Sequence, residues 1–397
     1  MAARRQPLMG NTRDIQLDAL RAIAVTMVLY SHFYAAGGSS FWGHIGVRLF
    51  FVLSGFLITR LLLEARAAAA FETGPALKAF YIRRALRIFP PYFAVLAFVW
   101  LVDLEQSRGS LVWHALYLSN FWYALHNNWN PWVLCHFWSL SIEEQFYLAW
   151  PLVVLLAPRR RFEQICIGVI ALSLAYRFYW PLTANTALAR DLLPPASMDA
   201  LATGALLACW RARGASLPQW MRLGWPALAG AFLMIEWFVP APADPMLEWG
   251  HWLVRQILPL VPLMVIVAAC SSGLGGTIGK FLELRPLLGL GRISYGIYLY
   301  HPILLSLAVK SQPWIPLNVS EQGPGRFLVA GAATIVAASI SWVVFERPLN
   351  SLKRHFPYVA RAPKAGAGHA GRFAMSADPG GPLDGPAPAL QRTDVRR

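Results

Sequence analysis

Ten apolar segments follow one another along this chain of 397 residues, and most are long enough to cross a bilayer as helices, which takes about 20 mostly apolar residues. Charged residues make up only 14% of the chain, too few to cover a soluble protein in which 56% of the residues are hydrophobic. This pattern predicts an all-α, polytopic membrane bundle of about ten transmembrane helices. The predicted spans are residues 17–36, 44–64, 86–103, 138–157, 162–182, 198–211, 222–239, 254–272, 292–311 and 326–346.

One further segment, residues 110–137, lies between the third and fourth spans and is rich in tryptophan and tyrosine. It is more polar than the ten spans, and its aromatic side chains favour the interface between lipid and water. We therefore expect an interfacial or re-entrant segment, and an eleventh span stays open.

The distribution of lysine and arginine predicts the orientation of the bundle. With a cytoplasmic N-terminus, fourteen of these residues fall in the even-numbered turns and two in the odd-numbered turns. Because cytoplasmic loops carry the excess of positive charge, both termini are predicted to be cytoplasmic, in a multi-pass protein of the cell (inner) membrane. We expect a cytoplasmic N-terminal segment over residues 1–14, a transmembrane domain over 15–350 and a disordered basic tail over 351–397.

The charge and cysteine patterns exclude other classes of protein. The net charge of +15 sits in short clusters between apolar segments rather than on one solvated face, so no nucleic-acid partner is expected. The four cysteines lie far apart without a CxxC spacing, and the histidine spacings match no metal motif. Neither a disulfide framework nor a bound metal is therefore predicted.

The first span contains three ionisable residues on one helical face. At 100° per residue, Asp18, Arg21 and His32 lie close together around the axis, and His32 stands roughly 21 Å along the helix from Asp18. Ionisable groups inside a membrane are costly, which makes them candidates for function. One interpretation makes Asp18 and Arg21 a local ion pair and His32 a structural hydrogen-bond partner. The other makes His32 a neutral general base in a dry cavity.

The fourth span begins FWSLSIEEQFYLAWP and contains two adjacent acids, Glu143 and Glu144. Such carboxylates need a proton or a hydrogen-bond partner in an apolar span, unless they are simply N-terminal acids that the helix dipole favours. Neighbouring residues differ by 100° around a helix, so only one of the two is expected to face the cavity of His32. Glu143 shares a stripe with Ser139 and is predicted to orient His32, whereas Glu144 shares a stripe with Tyr147.

Three arginines lie at the start of the third span or just before it, in the sequence FYIRRALRIFPPY. The spacing of Arg84 and Arg87, and of Arg83 and Arg87, brings at least two guanidinium groups together at the cytoplasmic mouth. Arginine forks bind phosphate with two hydrogen bonds, so these residues are candidates for binding an anionic substrate. The alternative is that they only set the topology of the chain.

Further polar residues lie within the predicted spans. His301 is near the middle of the ninth span, and Asp199 is a lone acid in the sixth. Trp138, together with Ser139 and Tyr147, is a weaker candidate for contacting a substrate, because aromatic faces suit sugar rings.

Five motifs in order resemble the acyltransferase family 3 of integral membrane proteins. They are LDALRAIAVTMVLYSHF, GVRLFFVLSGFLITRLL, FYIRRALRIFPPY, FWSLSIEEQFYLAWP and GRISYGIYLYHPILL, and the resemblance covers residues 14 to 347. It implies a polytopic acyltransferase that moves an acyl group, acetyl or another short one, from acyl-CoA to a hydroxyl of a sugar, a glycan or a secondary metabolite such as a macrolide. It also implies that His32 is the catalytic histidine and that Arg84 and Arg87 act in acyl-CoA use. The resemblance further implies that Glu143 and Glu144 are important for function.

The resemblance leaves two routes open for the reaction. His32 either deprotonates the attacking hydroxyl or itself accepts the acyl group in a two-step transfer. The expected partners are the bilayer, acyl-CoA and a hydroxyl-bearing acceptor, and self-association stays open. On physical grounds alone, a proton-coupled transporter or lipid-sugar flippase is the alternative, since intramembrane histidines and acids also serve proton coupling.

Overall fold

The computed structural model describes residues 15–34, 41–179, 187–239, 244–314 and 318–359, and these residues form helices joined by turns and loops, without a strand. The all-α prediction is therefore confirmed for the described part of the chain. The predicted N-terminal segment 1–14 and the predicted tail beyond residue 359 lie outside it. The α-helices are α1 (Ile15–Phe33), α2 (Phe41–Ala67), α3 (Thr73–Val102), α4 (Leu111–Ala115), α5 (Ser119–His126), α6 (Phe137–Leu156), α7 (Phe162–Tyr179), α8 (Ala187–Leu192), α9 (Pro195–Ala212), α10 (Gln219–Phe238), α11 (Pro245–Ile257), α12 (Leu260–Ser272), α13 (Gly276–Leu282), α14 (Arg285–Lys310), α15 (Pro324–Ser341) and α16 (Arg347–Ser351).

Within the described residues, six helical stretches are long and apolar enough to cross a membrane. They contain α2, α3, α7, α9, the pair α11 and α12, and α15. The other four predicted spans also coincide with helices, α1, α6, α10 and α14, but these do not meet the same test of length and composition. Three of these four, α1, α6 and α14, carry His32, the two acids Glu143 and Glu144, and His301.

The segment between α3 and α6 contains no continuous span. Its longest helix in the described structure is α5, with 8 residues, and short turns of 3-10 helix flank α4 and α5. A membrane-spanning helix needs about 20 residues, so the eleventh span that stayed open is not formed here.

Helices α2 and α9 approach each other closely because each presents a glycine to the other. A Cβ atom on Gly55 would lie 1.9 Å from the carbonyl oxygen of Leu201, and one on Gly204 would lie 2.0 Å from that of Val52. No side chain fits at either position, since glycine alone lets two helix backbones come this near.

A buried ion triad connects this helix pair to α7. Asp199 on α9 accepts hydrogen bonds from Arg48 on α2 at 2.7 Å and from Arg177 on α7 at 2.6 Å. Gln256 on α11 accepts a further bond from Arg48 at 3.0 Å. The prediction of a lone acid at Asp199 is therefore wrong, because the guanidinium groups of Arg48 and Arg177 compensate the charge of its carboxylate.

Residues 351–359 are not part of a disordered tail, contrary to the prediction. They continue α16 with a turn of 3-10 helix, Leu352–His355, and pack against α3. Arg83 on α3 donates to the carbonyl oxygens of Lys353 at 2.7 Å and of Phe356 at 3.2 Å, and its guanidinium lies 5.0 Å from the ring centroid of Tyr358.

Candidate active site

An arginine-lined cavity lies between α1, α2, α3, α6 and α14. Its empty volume is about 720 Å³, which includes space at its open side. Phe50 and Phe51 contribute apolar surface, but most of the lining is polar. The polar lining residues are Arg21, Ser54, Arg84, Arg87, Ser139, Glu143, Glu144, Tyr147, Ser294, Tyr295 and Tyr298.

Arg84 and Arg87 both line this cavity, as their spacing along α3 predicts. The guanidinium of Arg84 lies 4.8 Å from the ring centroid of Tyr147, within the range of a cation–π contact. Neither arginine forms an ion pair within the described part of the chain. Arg83, by contrast, is turned towards residues 353–358 and is not among the lining residues, so its predicted role in binding an anionic substrate is not supported.

A second cavity adjoins the first, and the two cavities share Arg21 and Arg87 as lining residues. Its empty volume is about 890 Å³. Five of its lining residues are basic, four of them arginines, whereas Asp18 is its acidic lining residue and forms an ion pair with Arg21 at 3.0 Å. The local ion pair is thus present, and the cavity still carries an excess of positive charge. The basic lining residues are Arg21, Arg60, Arg87, Arg292 and Lys353.

Glu143 and Glu144 on α6 both line the first cavity, whereas His32 does not, so the predicted cavity shared by His32 and one of the two acids is not found here. The cavity covers more of the α6 surface than the 100° that separates the two residues. Glu143 accepts a hydrogen bond of 2.8 Å from Ser54, and the hydroxyl of Tyr147 donates to the same serine at 3.0 Å.

His32 is not among the residues that line either cavity, and the predicted contact between Glu143 and His32 is not formed. The prediction that Glu143 orients His32 is therefore wrong. The position of His32 along α1 explains the error. Arg21 lines the cavity, whereas His32 lies three helical turns further along the same helix.

The partner of His32 is a second histidine. The Nδ1 atom of His32 lies 2.7 Å from Nε2 of His301 on α14, and the two rings stack with centroids 4.9 Å apart. The Nδ1 atom of His301 lies 2.7 Å from the carbonyl oxygen of Tyr298 on its own helix. His301 is fully buried and His32 is half-buried.

A third imidazole, His136, completes what we call the histidine cluster of His32, His136 and His301. The rings of His136 and His301 have centroids 4.9 Å apart, and Nε2 of His136 donates to the carbonyl oxygen of Leu299 at 3.2 Å. Its Nδ1 atom is buried without a hydrogen-bond partner in the described structure. Burial lowers the pKa of His136 well below its ordinary value, so this ring is neutral at physiological pH. Sequence reasoning missed His136, although it directly precedes the helix that carries the two acids.

Tyr298 and Ser139 connect the cavity to the histidine cluster. Their hydroxyl groups are 2.6 Å apart and line the cavity, and both lie within 3.2 Å of the carbonyl oxygen of His136. The backbone of Tyr298 binds His301 at the same time. Tyr298 therefore contacts both the cavity and the histidine cluster.

The remaining candidates lie outside this arrangement. Trp138 packs edge-on against Phe51, with ring centroids 6.3 Å apart, and is not among the residues that line either cavity. Asp199 belongs to the ion triad. Among the described residues, no group of three or more histidine, cysteine or acidic side chains has the arrangement of a metal site.

Comparison with known proteins decides the family. A family model described as an acyltransferase domain, that of the acyltransferase 3 family, matches residues 14–346. The chain belongs to the acyltransferase 3 family. This confirms the resemblance that the sequence motifs indicated. The first cavity and the histidine cluster lie within the matched residues, whereas the second cavity is also lined by Asn350 and Lys353, just beyond them.

Bacterial relatives of known name match most of the chain. It is 30% identical to the peptidoglycan O-acetyltransferase OatA of Listeria monocytogenes over 363 residues, which are 84% of this chain and 55% of that protein. It is 28% identical to the putative peptidoglycan O-acetyltransferase YrhL of Bacillus subtilis, over 84% of this chain and 54% of that protein. For the O-acetyltransferase OatA of Staphylococcus aureus, the identity is 30%, over 88% of this chain and 58% of that protein. The chain spans a little more than half the length of these relatives. No solved structure matches it.

Proposed function

We propose that this protein is a membrane O-acetyltransferase that moves an acetyl group from acetyl-CoA to a hydroxyl of a glycan. One observation carries the proposal. The arginine-lined cavity and the histidine cluster share one residue, Tyr298, which lines the cavity with its side chain and binds His301 with its carbonyl, in an acyltransferase domain. An anionic acyl donor fits the first region, and base catalysis fits the second.

The two adjoining cavities suit the donor. Acyl-CoA carries several phosphate charges at its nucleotide end, and Arg84 and Arg87 point two guanidinium groups without acidic partners, in the described structure, at the first cavity. Arg292 extends the positive charge into the second. The pantetheine arm is on the order of 15–20 Å long when extended, which is enough to carry the thioester from the arginines towards the histidine cluster.

His32 is the base in this proposal. Its Nε2 atom accepts the proton of the acceptor hydroxyl while the hydroxyl oxygen attacks the thioester carbonyl. The new C–O bond forms as the C–S bond breaks, and the proton then passes from His32 to the departing thiolate. Acetate ester and free CoA thiol are the products, and atoms and charge balance.

The relatives favour a cell-wall glycan over a macrolide as the acceptor, since two of them are named for peptidoglycan. We place the reaction in the cell membrane, with the basic cavities facing the cytoplasm, as the distribution of lysine and arginine predicts.

The full chain, reconstituted in lipid nanodiscs with acetyl-CoA, tests the proposal. We expect thiol release that depends on a peptidoglycan-type glycan and produces an alkali-labile acetyl ester on it. His32→Ala should abolish both while the thermal unfolding midpoint stays near that of the unmodified protein. Transfer to a macrolide but not to the glycan would correct the acceptor. Transfer by His32→Ala within threefold of the unmodified protein would overturn the role of His32.

A further inference from the structure

We infer that His301 is a positioning residue that holds His32 in a single tautomer, with Nδ1 protonated and Nε2 free to act as the base. The inference rests on the proposed function and adds to it the residue that sets the proton position on His32. It follows from hydrogen-bond chemistry along a chain of three groups: the carbonyl of Tyr298, the ring of His301 and the ring of His32.

The chain begins with a proline. Pro302 lies inside α14, and proline has no N–H to donate to the carbonyl four residues before it. That carbonyl belongs to Tyr298. It is therefore without its usual helical donor, and Nδ1 of His301 lies 2.7 Å from its oxygen. Since a buried carbonyl oxygen needs a donor, the proline makes this bond to His301 favourable.

The carbonyl fixes the proton on His301. An oxygen of this kind only accepts, so Nδ1 of His301 must carry the hydrogen. The ring is fully buried, and no acidic side chain is hydrogen-bonded to it in the described part of the chain, so it is neutral and carries one hydrogen. Its Nε2 atom is consequently an acceptor.

The proton on His32 follows from that of His301. Nε2 of His301 accepts, so the atom 2.7 Å away, Nδ1 of His32, must donate. The neutral His32 ring then has its lone pair on Nε2, for which the described residues provide no hydrogen-bond partner. A histidine base in other enzymes is held in its tautomer by a carboxylate. Here a second imidazole, itself fixed by a backbone carbonyl, serves that purpose.

Two variants of His301 separate this role from a structural one. In His301→Gln, the side-chain oxygen reaches the position of Nε2 and can still accept from His32, while the bond to the Tyr298 carbonyl is lost. In His301→Asn, the shorter amide can still donate to that carbonyl, while the acceptor for His32 is lost. We expect kcat of His301→Gln to stay within about tenfold of the unmodified protein, and kcat of His301→Asn to fall by about a hundredfold or more, with an unchanged KM for the donor.

A structural role predicts the opposite order, because only His301→Asn keeps the contact inside α14. Equal activities of the two variants, or a more active His301→Asn, would overturn the inference. His32→Ala, assayed in parallel, keeps the two proposals apart. If His32→Ala is inactive but His301→Asn is active, only the role of His301 fails. If His32→Ala is active, the proposed function fails first.

Nitrogen NMR of the unmodified protein gives a second test that does not depend on how the two His301 variants fold. In protein labelled with ¹⁵N-histidine, the resonances absent from His32→Ala belong to His32. We expect these to show a protonated Nδ1 and an unprotonated Nε2. A protonated Nε2 on His32 in the absence of substrate would overturn the inference.

Discussion

Two groups of arginines in this bundle differ in whether they form ion pairs with an acidic side chain. Arg48 and Arg177 are almost completely buried, and both bind Asp199 in the ion triad. Arg84 and Arg87 are half-buried, line an open cavity and have no acidic partner at ion-pair distance in the described structure.

The difference separates arginines that connect helices from arginines that, in the proposed function, bind the donor. A buried charge is tolerated when it is paired and hydrogen-bonded, and the triad meets that condition with groups from three helices. In the proposed function, the phosphate groups of the donor bind the guanidinium groups of Arg84 and Arg87 in the cavity. Mutations of the first group should therefore change stability, and mutations of the second should change binding.

The largest effect is expected from Asp199→Ala. It leaves two guanidinium groups buried without a carboxylate, which costs about 3–5 kcal/mol for a broken buried pair. The variant should accumulate poorly, and its unfolding midpoint in detergent should fall. Replacing the whole triad, as Arg48→Met with Arg177→Met and Asp199→Leu, should restore much of the stability. Loss of activity with an unchanged midpoint would instead assign the triad to the reaction.

A smaller effect, confined to donor binding, is expected from Arg84→Ala and Arg87→Ala. Each lost charge-assisted contact with a phosphate costs about 1.5–3 kcal/mol, which raises the KM for acetyl-CoA about 10- to 150-fold. Arg160→Ala, an exposed arginine of a predicted cytoplasmic turn, is the matched control and should leave KM unchanged. If both cavity variants lose yield or topology while donor KM is unaffected, these arginines only orient the chain.

Gly55→Ala tests whether stability depends on the helix pair that carries the triad. The added methyl group meets the backbone of Leu201, and overpacking of this kind costs about 1–3 kcal/mol. Gly168→Ala on α7 is the control, since nothing lies within 4 Å of the added atom there. Unfolding midpoints should fall for the first variant and not for the second, and donor KM should not change in either. An unchanged midpoint for Gly55→Ala would show that α2 and α9 can separate freely.

The smallest effect is expected from Glu143→Gln. The carboxylate lies in the cavity and accepts from Ser54, so its loss should affect the donor step by roughly tenfold, the value of about one charge-assisted hydrogen bond. Single-turnover experiments with saturating acceptor show whether the variant is impaired in the donor step. Glu144→Gln, which removes the neighbouring carboxylate, is measured for comparison. A loss of orders of magnitude that appears with saturating donor would mean that Glu143 acts together with His32 after all.

The prediction of candidate residues from sequence was most successful where local spacing decides the outcome. Arg84 and Arg87 are one turn apart on α3, and they do point into one cavity. Likewise, Asp18 and Arg21 form the local ion pair that was one of two interpretations. Contacts between distant parts of the chain were not predicted correctly. The partner of His32 is 269 residues away, and Asp199 is paired with arginines that the sequence analysis did not consider.

The sequence by itself determined that the chain is an all-helical membrane protein of the acyltransferase 3 family, because hydropathy, helical spacing and ordered motifs are properties of short segments. Only the tertiary structure decided which polar groups meet. Whether Glu143 or His301 contacts His32 depends on the depth and rotation at which α6 and α14 pack against α1, and a pattern within one helix contains no information on its neighbours. The proline that fixes His301 is visible in the sequence, but its consequence appears only when α14 brings that histidine against His32.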